Sequence, residues 1–108
     1  MTAWIDVCAV SDIVPDTGVC ALLGDEQVAV FRFGDNEVYA ISNFDPCGEA
    51  NVLSRGIVGS IGERKVVASP LYKQHFDLRS GECLEAPEKS VRAYPVRLTG
   101  ERIEVAAN

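Results

Sequence analysis

Two short stretches hold most of the residues in this chain that could bind a metal or do chemistry. They are Asp45-Pro46-Cys47-Gly48-Glu49 and Ser69-Pro70-Leu71-Tyr72-Lys73-Gln74-His75. They offer a thiol, carboxylates, a hydroxyl, a phenol and the single imidazole of the chain. Thiols and imidazoles suit borderline metals, and carboxylates suit hard ones. Each set is thin. Calcium takes about six or more oxygens, so Asp45 and Glu49 read as solvated loop carboxylates, with Asp45-Pro46 opening a turn. Cys47 reads as an exposed thiol whose pKa Glu49 would raise, not an activated nucleophile. His75 has no acid–base partner in the sequence and reads as a surface imidazole on the strand face opposite Phe76. Tyr72, Lys73 and Gln74 set an aromatic and a cation at a loop tip, a composition enriched in protein interfaces. Arg55 joins them as a candidate partner surface.

The elements that position these stretches are short and extended. Val19–Leu23, Gln27–Phe33 and Glu37–Ser42 are apolar runs closed by Gly24-Asp25 and Gly34-Asp35-Asn36, and they predict an antiparallel meander. A second set follows: Ile57–Ile61, Lys65–Ala68, His75–Leu78 and Cys83-Leu84. The chain ends in Val91–Tyr94, Pro95–Leu98 and Arg102–Val105. Ile103 and Val105 alternate with charges there, so one face is buried and one wet. The only helical signal is a turn at Ser11–Val14, stopped by Pro15. The expected architecture is an all-β sandwich or small barrel. Two loops, residues 43–56 and 69–74, leave strand ends, where a rigid scaffold usually carries function.

Composition narrows the function classes. At 108 residues the chain suits one domain, residues 1–108. Its net charge of −6 argues against nucleic acid and anionic membranes and permits a basic protein partner. No apolar run approaches about 18 residues, so no spanning helix is expected. The N-terminus lacks the basic region of a secretory signal, which makes the cytoplasm the default. Cys8, Cys20, Cys47 and Cys83 form no C-x-x-C pair; scattered cysteines in a reducing cytosol are most often free and buried, and the spacing alone leaves a disulfide open. No Ser/His/Asp set, phosphate loop or nucleotide fingerprint is present.

The stretch from Ser69 to Gly81 resembles the second cluster loop of a Rieske iron–sulfur domain, C-P-x-H-x-x-x-F-D-x-x-x-G. Pro70, Phe76, Asp77 and Gly81 match, but Ser69 stands in the cysteine slot and Tyr72 in the histidine slot. In the first loop, Asp45 falls in the cysteine slot and Cys47 in the histidine slot. Serine, tyrosine and aspartate are not the ligands that hold such a cluster, so the resemblance implies a scaffold without cluster, metal or catalytic residues. Further stretches are similar to the small subunit of NAD(P)H-dependent nitrite reductase. They are Trp4 with Asp6 and Cys8, Thr17–Ala29, Ala40–Pro46, Val52–Gly56 and Ala68–Gln74. That resemblance implies an accessory subunit in a cytoplasmic complex. The large subunit would carry FAD, sirohaem and a 4Fe-4S cluster and reduce nitrite to ammonium.

Two other classes compete with that expectation. One is a small electron carrier with atypical ligands at Cys47, Asp45 and His75, which would bring iron and visible absorbance. The other is a free-standing regulatory β-domain, which would show no affinity for a reductase.

Overall fold

The computed structural model describes residues 3–106. β1 (Trp4–Ala9) passes through a 3-10 turn at Val10–Asp12 into a meander of β2 (Thr17–Leu23), β3 (Glu26–Phe33) and β4 (Glu37–Ser42). Gly24 turns the first hairpin at φ 61°, a left-handed conformation that glycine enters without a Cβ clash. The first long loop contains a small ribbon, β5 (Phe44–Asp45) with β6 (Ala50–Asn51), and a 3-10 turn at Leu53–Arg55. The second meander is β7 (Ile57–Ile61), β8 (Arg64–Ala68) and β9 (His75–Asp77). A 3-10 turn at Pro87–Lys89 leads to β10 (Ala93–Tyr94), β11 (Val96–Thr99) and β12 (Arg102–Ala106).

All pairings are antiparallel, in the orders β10-β4-β3-β2, β1-β12-β11, β7-β8-β9 and β5-β6. The expected all-β sandwich is what forms. Its middle layer is the β3–β4 hairpin, buried on both faces. Successive strand residues point to opposite sides, so Val28, Val30 and Ala40 enter one core with Ile13, Tyr94, Ile103 and Val105. Ala29, Phe31 and Ile41 enter a second core with Leu53, Val67, Phe76, Leu78 and Cys83. Burying each large side chain there is worth about 1.5–3 kcal/mol. The second core lies beneath the two loops and fixes where they start.

Several local expectations shift. β1 is an addition: a bulge between Asp6 and Cys8 breaks its alternation, and its partner β12 lies at the far end of the chain. The run at Val91–Tyr94 shrinks to β10 because the Val91 N–H donates to the Gly81 carbonyl at 2.9 Å. Cys83 makes only an isolated bridge to Phe76. All four cysteines are free, but only Cys83 is buried; Cys20 is exposed and the other two are half-buried. Ile103 and Val105 are buried as the alternation requires. Among the described residues, no helix is long and apolar enough to cross a membrane.

Candidate functional site

Loop 43–56 leaves β4 and returns to β7; loop 69–74 joins β8 to β9. Asn43 braces the first loop. Its Nδ2 donates to Gln27 Oε1 at 3.1 Å, and its Oδ1 accepts the Ser54 N–H at 2.7 Å. Its carbonyl also accepts the Leu53 N–H at 3.1 Å. This buried amide had no distinguishing signal in sequence, since its partners come from both sides of the loop. The second loop closes on itself. The Ser69 N–H donates to the Gln74 carbonyl at 2.9 Å, and the Lys73 N–H donates to the Ser69 carbonyl at 3.1 Å.

The two loops meet at Asp45 and Ser69, and here the expectation of a solvated Asp45 is corrected. Asp45 is 0% exposed and Ser69 1%. The Ser69 hydroxyl donates to Asp45 Oδ2. Asp45 Oδ1 accepts the Cys47 N–H at 2.8 Å and the Gly48 N–H at 3.3 Å. A carboxylate buried this deeply is tolerable only because its lone pairs are occupied. Gly48 lies so close to the Leu71 side chain that a Cβ there would collide with it, so the loops are packed as well as bonded.

A two-iron Rieske cluster needs two thiolates on one iron and two imidazoles on the other. The residues present do not fit it. The two cysteine slots hold Asp45 and Ser69, which are bonded to each other. The histidine slots hold a thiol, Cys47, and a phenol, Tyr72, which is 66% exposed. His75 does not approach as a substitute: its Nδ1 lies 2.6 Å from Glu85 Oε2, while the same carboxylate accepts the His75 N–H at 2.8 Å. No group of three or more His, Cys, Asp or Glu among the described residues is placed to hold a metal ion.

Cys47 is half-buried, not exposed. Burial pushes its thiol up, and the Asp45 charge and the Cys83 thiol add to that. The expected direction holds, but the neighbouring carboxylate responsible is Asp45, not Glu49. A raised thiol is a poor nucleophile at neutral pH. Below the loop, Asp77 of the family frame pairs with Arg64 Nε at 2.9 Å and accepts the N–H groups of Arg79 and Ser80. Burial pushes its carboxyl up, but the Arg64 bond and those N–H bonds outweigh it and hold the pKa below 3.8.

Of the candidate partner residues, Tyr72 projects into solvent, while Gln74 is half-buried with its Oε1 lacking a hydrogen-bond partner. Arg55 and Lys73 come together with His75 around one pocket of about 430 Å³. That grouping is invisible in sequence, where Arg55 and Lys73 belong to different loops.

The family model of the Rieske-like [2Fe-2S] domain matches residues 3–106. The nitrite reductase (NADH) small subunit of Escherichia coli K12 is 52% identical over 99 residues, 91% of this chain and 92% of that protein. The solution structure of the Escherichia coli protein NirD superposes with a TM-score of 0.92 at 47% identity, covering 100% of this chain and 99% of that one. The nitrite reductase [NAD(P)H] large subunit of Klebsiella oxytoca is 45% identical over 102 residues, 94% of this chain but 11% of that protein.

Proposed function

The chain belongs to the Rieske-like [2Fe-2S] domain family, and within it we propose the role of accessory small subunit of an NAD(P)H-dependent nitrite reductase. The observation that carries this is the 52% identity, over 91% of the chain, to a protein named as that small subunit. The match inside a large subunit adds a physical argument. Where a domain like this one is covalently joined to the reductase, the two work side by side, and separate chains reach the same arrangement by docking. The partner is therefore the large subunit, which supplies FAD, sirohaem and a 4Fe-4S cluster and carries nitrite to ammonium. The described residues assemble no donor set for a cluster. Its part is binding and positioning. A cytoplasmic setting, nitrate assimilation and a small subunit without a cluster belong to the same proposal.

Iron analysis and co-purification test it. The purified chain should be colourless and should co-elute with a sirohaem-containing large subunit. Two irons per aerobically purified chain, or failure to bind that subunit, would sink it.

A further inference from the structure

The pocket beside the loops has apolar walls and a basic rim. Ile57, Ala68 and Pro70 line it together with Arg55, Lys73 and His75. Ile57 is 73% exposed, slightly more than Val14 at 69% and Leu22 at 67%, and of these three it alone lines the pocket. Between Pro70 and Lys73 the chain also exposes Leu71, at 45%, and Tyr72. Exposed apolar side chains clustered in sequence beside an apolar-walled pocket suit a protein contact better than a small-ligand cleft.

The charges have a direction. The chain carries sixteen acidic residues against ten basic ones, yet no carboxylate lines this pocket. Arg64, Lys65, Arg92, Arg97 and Arg102 all have carboxylate partners. Neither Arg55 nor Lys73 has an ion-pair partner among the described residues. Lys73 is held in the left-handed region at φ 62°, with its N–H on the Ser69 carbonyl. Glu85, the carboxylate on His75, is occupied by that residue's ring and N–H. Two unpaired cations over an apolar floor complement a negative charge carried next to an apolar group.

We propose that this pocket docks a segment of the large reductase subunit that presents an aliphatic side chain beside a carboxylate. The proposal rests on the small-subunit assignment and adds the chemistry of the contact. The aliphatic group packs on Ile57 and Pro70, and the carboxylate reaches Arg55 and Lys73.

Calorimetric titration of the chain against the large subunit, at low and high salt, tests it. Arg55→Glu and Lys73→Glu should each raise Kd at least about tenfold at low salt, with a smaller effect at high salt. Ile57→Ser should weaken binding at both salt concentrations, because its contribution is apolar. Arg79→Glu, an equal charge reversal on an exposed residue outside the pocket, should stay within about twofold. Thermal melts of each variant confirm folding, which the exposure of these side chains should preserve. If the unmodified chain binds and the pocket variants bind equally well, the docking site is overturned and the small-subunit assignment stands. If the unmodified chain does not bind, both fall. If the variants abolish only self-association of the chain, the pocket is a contact between copies and the proposal is overturned.

Discussion

A carboxylate and a hydroxyl occupy the positions where the family places two thiolates, and a hydrogen bond joins them across the two loops. The exchange has a measurable energy. Ser69→Ala would leave Asp45 Oδ2 buried without its donor, at a cost of about 1–3 kcal/mol. The midpoint of urea unfolding should fall with no change in its denaturant slope. Asp77 gives the pH counterpart. Its folded pKa lies below the ordinary 3.8, so the stability it contributes is fully present above that value. It is lost as pH falls through the lower folded value. Asp77→Asn should therefore flatten the acid limb of stability below about pH 4, measured by melts across pH. An unchanged acid limb would assign that limb to the exposed carboxylates Asp6, Glu37 and Glu85 and the half-buried Glu104, whose pKa values are also lowered.

At the scale of elements, the turn after β9 and the second loop keep the family's sequence frame, Pro70, Phe76, Asp77 and Gly81, without its ligand residues. Gly81 sits at φ 80° against the Val91 carbonyl, where a Cβ would clash with backbone. Gly81→Ala should cost at least about 2 kcal/mol. Gly59→Ala in β7, where a Cβ meets open space, should stay within about 0.5 kcal/mol. The loops admit a stricter test. The contact of Asp45 with Ser69 puts the two thiolate slots side by side, as two ligands of one iron require. Asp45→Cys, Cys47→His, Ser69→Cys and Tyr72→His combined should therefore take up iron and absorb visible light on reconstitution. No single one of them should. A quadruple variant that folds but binds no iron would show that the loop frame has drifted as well as the ligands.

For the whole molecule, net charge and local charge point in opposite directions. The total of −6 permits a basic partner, whereas the pocket rim is basic and fits an acidic one. Association is governed by the patch that touches, and a sum over the chain averages it away. Tyr72→Ala tests the loop tip at this scale. Because Tyr72 is largely exposed, the melting temperature should shift by no more than a few degrees. Affinity for the large subunit should fall by about 1 kcal/mol or more, the usual loss for an interface aromatic. Collapse of stability with unchanged affinity would make Tyr72 a packing residue and move the contact elsewhere.

The amino-acid sequence by itself determined the strand meander, the all-β class and the vacated ligand slots. Those features depend on neighbours in the chain: alternation within a strand, glycine at a turn, and the fixed spacing from Ser69 through Phe76-Asp77 to Gly81. Tertiary structure decided what the vacated slots became. Asp45 reads as a solvated turn residue because its partner lies 24 positions away. Only when the second core holds both loops together does the carboxylate become buried and bonded. The same holds for Asn43, whose partners lie 16 and 11 positions away, and for the pairing of Arg55 with Lys73 around one pocket. Local pattern fixes backbone form, but the surroundings of a loop side chain are set by segments that pattern does not connect.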